Sequence, residues 1–247
     1  MKNQMQTSAA QPSAGNPEGP TPETVPVPQS LSEREWTQIA RAIERGEPHH
    51  TLGTRLRSGL PWHKAGKADF KRFNSILRVR RTDRVIDYGC GTLRIGLHFI
   101  KRLRPGNYMG LDLIPQFIES GQRLLGEKLL RKASPALACI NQESLLAAER
   151  FGATIVISSD VAFHVHPNEV ASYFGNLRRL AHTPGARLVF NGKLSDGPYQ
   201  YNESGWSWPL TYYQELLKPL VFVGTHYACA YYFDSRCVNC LLEFRTL

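Results

Sequence analysis

The stretch Arg84-Val-Ile-Asp-Tyr-Gly-Cys-Gly-Thr-Leu-Arg-Ile-Gly96 restricts the fold more than any other part of this sequence. Arg84–Ile86 reads as the end of a short buried strand whose apolar run stops at polar Asp87, and Gly89 and Gly91 then supply a turn free of β-carbons. Ile95, Leu97, His98, Phe99 and Ile100 set out an amphipathic helix. Strand, glycine turn and helix N-terminus together turn free backbone N–H groups toward a ligand. Further on, Tyr108-Met-Gly-Leu-Asp-Leu113 reads as a second strand ending in a carboxylate, Asp112, at a spacing suited to gripping a ribose diol. A dinucleotide fingerprint would place a third glycine where Arg94 stands. An aspartate two residues before the Gly-x-Gly pair suits a ligand with a cationic amino-acid head better than a pyrophosphate.

A chain of 247 residues suits one sizeable domain with appendages. No apolar run has the length of a membrane span, and the polar N-terminus has no signal-peptide apolar region. The five cysteines are scattered and odd in number, which fits a reducing cytoplasm rather than a disulfide framework. The formal charge of +9 is uneven: residues 55–104 hold 14 Lys/Arg against three acids. That run is either a solvated basic helix face or a phosphate-binding surface.

Residues 1–30 read as a disordered tail and residues 31–80 as a helical cap. Within the cap, Ser32 and Glu35 form a capping box for one helix, His49 and His50 follow in a loop, and Gly59–Lys64 is a turn-rich connection. A second helix is predicted over Ala65–Val79. Beyond the glycine turn, the pattern predicts a helix over Pro115–Leu130, strands over Ala136–Ile140, Phe151–Ile157 and Ala186–Leu194, and a helix over Glu169–Leu180. Ser195–Trp208 is a long loop rich in Tyr and Trp, suited to a lid or an acceptor wall, or to core packing beneath one. After a short helix over Pro209–Leu217, strands over Leu220–Phe233 and Cys237–Phe244 turn at Asp234–Arg236. Cys237 and Cys240 make a lone C-x₂-C without a second pair, so they read as packing cysteines and no metal site is assigned.

Asp87-x-Gly89-x-Gly91 and the later Asp112 resemble the first motif and the second-strand acid of class I S-adenosylmethionine-dependent methyltransferases. Leu93 stands where that family usually has a further glycine. The resemblance spans residues 81–247. It implies a Rossmann-like, doubly wound α/β fold with a seven-stranded, mostly parallel sheet, a C-terminal antiparallel hairpin and the N-terminal helical cap. The cofactor implied is S-adenosyl-L-methionine, bound by Asp87, Tyr88, Gly89, Cys90, Gly91, Asp112 and Leu113, by Gln142, Glu143 and Ser144 beside the adenine, and by Ser159. In such proteins the helices before the first strand cover the pocket, which brings Trp62 and His63 toward it, as ligand contacts or as packing beneath a lid.

The segment Ser158–Pro167 leaves the carboxyl end of strand four and is similar to the region where small-molecule methyltransferases place a serine or acid and then a histidine. Asp160 and His164 are four apart, so a helix beginning there puts both on one face. An aspartate orienting an imidazole suits proton removal from a hydroxyl, and these two are the candidate catalytic residues; an Asp cap over a packed histidine is the structural alternative. The expectation is O-methylation of a small molecule, such as a sugar or secondary metabolite. An RNA or protein methyltransferase using the basic 55–104 surface is the alternative, as is a non-catalytic binding protein of the same fold.

Overall fold

The computed structural model describes residues 61–202, 204–231 and 234–247, together with 37, 38, 41 and 45. The tail, most of the Ser32-capped helix and the His49–His50 loop lie outside the described residues.

The first described helix, α1 (Trp62–Leu77), begins three residues before its predicted start. The carbonyl of Pro61 accepts from the N–H groups of Lys64 and Ala65 at 2.9 and 3.1 Å, so the turn-rich segment becomes the helix's first turn. Arg78 ends it in the left-handed region at φ 50°, and the side chain of Asn74 accepts from the N–H of Val79. Trp62, Phe73 and Leu77 are buried, while Lys64, Lys67 and Lys71 face solvent.

A regular alternation follows: β1 (Val85–Tyr88), α2 (Gly96–Arg102), β2 (Tyr108–Asp112), α3 (Pro115–Leu125), α4 (Glu127–Ala133), β3 (Ala136–Cys139), α5 (Gln142–Phe151), β4 (Ile155–Ser158), a 3₁₀ turn (Ala162–His164), α6 (Val170–Leu180) and β5 (Arg187–Leu194). The chain closes with a small hairpin, β6 (Tyr199–Asn202) and β7 (Gly205–Ser207), then α7 (Leu210–Leu216) and the strands β8 (Val221–Tyr231) and β9 (Asp234–Arg245). One seven-stranded sheet runs β3-β2-β1-β4-β5-β9-β8, parallel through β5 and antiparallel at β9 and β8. This is the doubly wound sheet with its terminal hairpin expected from the sequence. The strand order reverses between β1 and β4, and the crevice at their carboxyl ends is the switch point where such sheets bind ligands.

Several boundaries differ from the sequence reading, each for a local reason. Gly126, at φ 77°, breaks the predicted single helix into α3 and α4. Phe151 ends α5 instead of opening β4, because Asn141 caps α5 from its first turn and left-handed Gly152 closes it. No α-helix begins at Asp160: that residue has φ 58°, only a 3₁₀ turn follows, and α6 starts at Val170. The one-face pairing of Asp160 with His164 therefore does not form through a helix. Asp234–Arg236 already belongs to β9, and the aromatic loop before α7 folds as β6–β7.

Two apolar layers flank the sheet. Phe73, Leu77, Phe99, Ile100 and Ile118 pack on one face, and Leu145, Phe174, Leu177, Tyr213 and Leu217 on the other. Trp206 and Trp208 are buried in the second layer, which gives this loop the packing role. Cys237 and Cys240 are both buried, with Cys240 Sγ set toward the carbonyl of Gly192. Arg187 at the start of β5 ties distant parts of the chain together. Its guanidinium donates to the buried carboxylate of Glu243 on β9 at 2.8 Å and to the carbonyls of Leu77 and Ile76 at the end of α1, both at 3.0 Å.

Candidate functional site

β1 and β2 pair in register, Asp87 beside Gly110 and Tyr88 beside Leu111, so both strands deliver their acids to the same end of the sheet. The chain then turns at Gly89 (φ 82°) and Gly91 (φ 51°), in backbone conformations that L side chains rarely adopt. A β-carbon on Gly89 would lie 2.5 Å from Val161, whereas one on Gly91 would meet open space. The N–H groups of Gly89 and Cys90 donate to the carbonyl of Leu111 at 2.7 and 3.0 Å, which binds the turn to β2. Leu93 is also left-handed at φ 60° and fully buried. The position at which a further glycine was expected is left-handed here and carries a core side chain.

Asp112 grips the turn directly. One carboxylate oxygen accepts from the N–H of Gly91 at 2.7 Å and the other from the N–H of Ile114 at 3.0 Å. Burial pushes its carboxyl up to about 6, against the pull of the backbone donors of Ile114, Gly91 and Leu113. Asp87 is more enclosed. Tyr108 donates to its Oδ2 at 2.8 Å, while its buried Oδ1 has no hydrogen-bond partner. Burial pushes this carboxyl up to about 7; the Tyr108 hydrogen bond opposes the rise and the neighbouring Asp112 adds to it. An orphaned buried carboxylate oxygen beside an open glycine turn fits a cationic group brought in by a ligand.

The other predicted residues surround this centre at different depths. Tyr88 is buried on the opposite face, its hydroxyl accepting from Asn176 at 2.9 Å, and burial raises it to about 12. The Cys90 thiol is raised well above its ordinary value by burial. Leu113 is exposed beside Asp112, and Gln142 and Glu143 are exposed in the first turn of α5. Ser144 spends its polar atoms on the helix cap: its N–H donates to Asn141 Oδ1 at 2.8 Å and its hydroxyl accepts from the Asn141 N–H at 2.9 Å. Trp62 is buried, and its indole donates to the Thr92 hydroxyl at 2.9 Å, so it clamps the glycine turn from α1. The carbonyl of His63 is 3.0 Å from His98 Nε2 on α2.

Arg94 joins three elements at one point. Its guanidinium is paired with Asp69 of α1 and lies 2.8 Å from Asp160 in the loop after β4. His164 Nδ1 is 2.9 Å from the carbonyl of Ser204; a carbonyl only accepts, so Nδ1 carries the proton and Nε2 is the basic nitrogen. Beside the Asp69–Arg94 pair is a cavity of about 310 Å³, lined by Asp69 and Phe73 of α1, Ser159, Asn191 of β5, Tyr227 of β8 and Asn239 of β9; His164 is not part of its lining. Asp69 thus faces the cavity and also pairs with the arginine that follows the turn. Sequence reading missed Asp69, Arg94 and Tyr108 as site residues, and missed the cavity wall from β8 and β9. Asn191 carried the one visible signal, a polar residue within the apolar run of β5.

Among the described residues, no group of three His, Cys, Asp or Glu side chains is placed to hold a metal ion, and no helix is long and apolar enough to cross a membrane.

It is in the fold that this chain meets known proteins, methyltransferases among them. Magnesium protoporphyrin IX methyltransferase from Synechocystis PCC 6803, solved with SAH bound, is 13% identical at a TM-score of 0.55, over 75% of this chain and 83% of that one. Burkholderia thailandensis 1,6-didemethyltoxoflavin-N1-methyltransferase, solved with 1,6-didemethyltoxoflavin and S-adenosylhomocysteine, is 15% identical at 0.54, over 90% and 93% of the two chains. The [4+2]-cyclase SpnF is 10% identical at 0.61, over 89% and 98%. No protein-family profile and no curated protein matches the sequence.

Proposed function

We propose that this protein binds S-adenosylmethionine and transfers its methyl group to an oxygen of a small molecule. The observation that carries the reading is the pairing of Asp112 with the Gly91 N–H, beside a buried Asp87 whose Oδ1 has no partner. Asp87 and the Gly89–Gly91 backbone would hold the amino-acid part of the cofactor and Asp112 its ribose. Two of the solved neighbours are methyltransferases with SAH in their structures, which supports the same cofactor here. When bound, a sulfonium supplies an electrophilic methyl, so the protein's share of the chemistry is alignment and, for a weakly acidic hydroxyl, a base.

The cavity between α1, β5, β8 and β9 has the size of a small-molecule site and is the proposed acceptor chamber. His164 Nε2 and the Asp160 carboxylate are the proposed bases. The cyclase among the neighbours is a reminder that the fold does not fix the reaction, so the reading stands on the site. Calorimetry with S-adenosylhomocysteine tests the cofactor half: wild type binds, and Asp112→Ala binds at least tenfold more weakly. Equal affinity in the two proteins, or no binding to wild type at millimolar ligand, refutes it.

A second reading has one observation behind it. Lys64, Lys67 and Lys71 on α1, Arg80, Arg81 and Arg84 before β1, and Lys101, Arg102 and Arg104 at the end of α2 are all exposed on elements packed side by side. Such a surface suits the phosphates of an RNA acceptor. RNA binding that weakens steeply with salt supports this reading, and indifference to RNA at low salt removes it.

A further inference from the structure

We infer that Arg94 is the counter-ion for the carboxylate of the cofactor's amino-acid head, and that it exchanges Asp160 for that carboxylate when the head arrives. The inference rests on the cofactor class proposed above and adds a binding residue and a displacement to it. Arg94 follows the glycine turn directly, and its neighbour Thr92 is held in place by the indole of Trp62. Behind it, α1 lies against the Arg94 backbone at Gly66, where a β-carbon would collide with the Arg94 carbonyl. The guanidinium is thereby anchored at its base and free to exchange partners at its tip.

The two partners are unequal. Asp69 and Arg94 are each 22% exposed, whereas the Asp160 side chain is 46% exposed and comes from a loop. The Asp160 bond is the more solvent-screened of the two and therefore the more easily exchanged. A guanidinium offers five donors in a planar fork, which matches a carboxylate edge better than an ammonium would. One cation facing two acids leaves this cluster with a net negative charge, which favours the approach of a cationic ligand. When the head's carboxylate takes the outer edge of Arg94, Asp160 is released beside the cavity that Asp69 and Ser159 line. The acid proposed as a base is therefore held by Arg94 without cofactor and released with it.

The test compares two ligands that share a nucleoside and a thioether sulfur but differ in the amino-acid head. S-adenosylhomocysteine carries the head and 5′-methylthioadenosine lacks it. By calorimetry, Arg94→Gln should weaken S-adenosylhomocysteine by about 10–100-fold while leaving 5′-methylthioadenosine within about twofold, and Arg94→Lys should fall between. Asp160→Asn, which removes the competitor, should tighten S-adenosylhomocysteine by a few-fold. A thermal melt of each variant reports whether the fold is kept, and the lysine variant retains the charge if glutamine proves disruptive. Equal loss of both ligands in a folded Arg94→Gln, unchanged S-adenosylhomocysteine affinity in it, or weakening by Asp160→Asn overturns the inference while the cofactor reading stands. Wild type that binds neither ligand overturns both.

Discussion

Replacing Asp87 by asparagine separates what this side chain does for the fold from what it does for a ligand. In the unfolded chain its carboxyl ionises near 3.8, and in the fold burial pushes that up to about 7. A raised carboxylate value means that the folded state holds the proton longer. Its contribution to stability is therefore greatest below pH 3.8 and falls as the pH rises toward 7. Each tenfold change is worth ~1.4 kcal/mol, so between pH 5 and pH 8 Asp87 costs the fold ~3 kcal/mol. Asp112, raised to about 6, adds ~1 kcal/mol over the same interval. His98, lowered by burial, acts in the opposite sense below its ordinary value, so the informative quantity is the difference between variant and wild type. Asparagine keeps an acceptor for the Tyr108 hydroxyl and cannot ionise. Urea unfolding from pH 5 to 8 should show Asp87→Asn gaining on wild type by ~3 kcal/mol as the pH rises. The same variant should bind S-adenosylmethionine more weakly, since it has lost the anion that a cationic head would meet. A stability difference that stays flat with pH, or narrows, refutes the placement of an unpaired carboxylate at the end of β1.

Leu93→Gly should relieve a left-handed residue at a gain of ~1–2 kcal/mol but remove a fully buried side chain worth ~2–5 kcal/mol, for a net loss in urea unfolding. A gain in stability would mean that the strain, not the packing, dominates at that position. Trp62→Phe keeps a ring but loses the bond to Thr92, so stability should fall by ~1 kcal/mol and amide exchange in the turn should quicken. Unchanged protection of Gly91 and Thr92 would show that α1 does not clamp the turn. If the two buried β9 cysteines pack, as the sequence reading has them, chelator should leave the melting temperature unchanged, as should Cys237→Ala beyond the small loss of a buried thiol.

The sequence made β1, the glycine turn and β2 legible because each depends on local rules: an apolar run, two glycines without β-carbons, and an acid where the run stops. The doubly wound class followed from the alternation of strands and helices, whereas the order of the strands in the sheet did not. The long-range pairs were not legible. Tyr108 reaches Asp87 across 21 residues, Trp62 reaches Thr92 across 30, and Arg94 reaches Asp160 across 66, and no periodicity encodes them. The misplaced boundaries have local causes that propensity hides. Phe151 is as apolar as a strand residue but is held in α5 by a cap at the other end of the helix. Asp160 lies in a left-handed conformation that no spacing rule foresees. The cavity beside Asp69 stayed hidden because part of its wall comes from β8 and β9, which read from the sequence only as a hairpin.

The Arg187 junction has a consequence for the order in which the molecule is completed on the ribosome. Helix α1 is among the first parts of the domain to emerge, yet the arginine that receives its last carbonyls is made more than a hundred residues later. That arginine's own acidic partner, Glu243, is later still. The carboxyl end of α1 therefore waits for its anchor until β5 and β9 have been made, while Trp62 at its other end can already meet Thr92 of the early-built glycine turn.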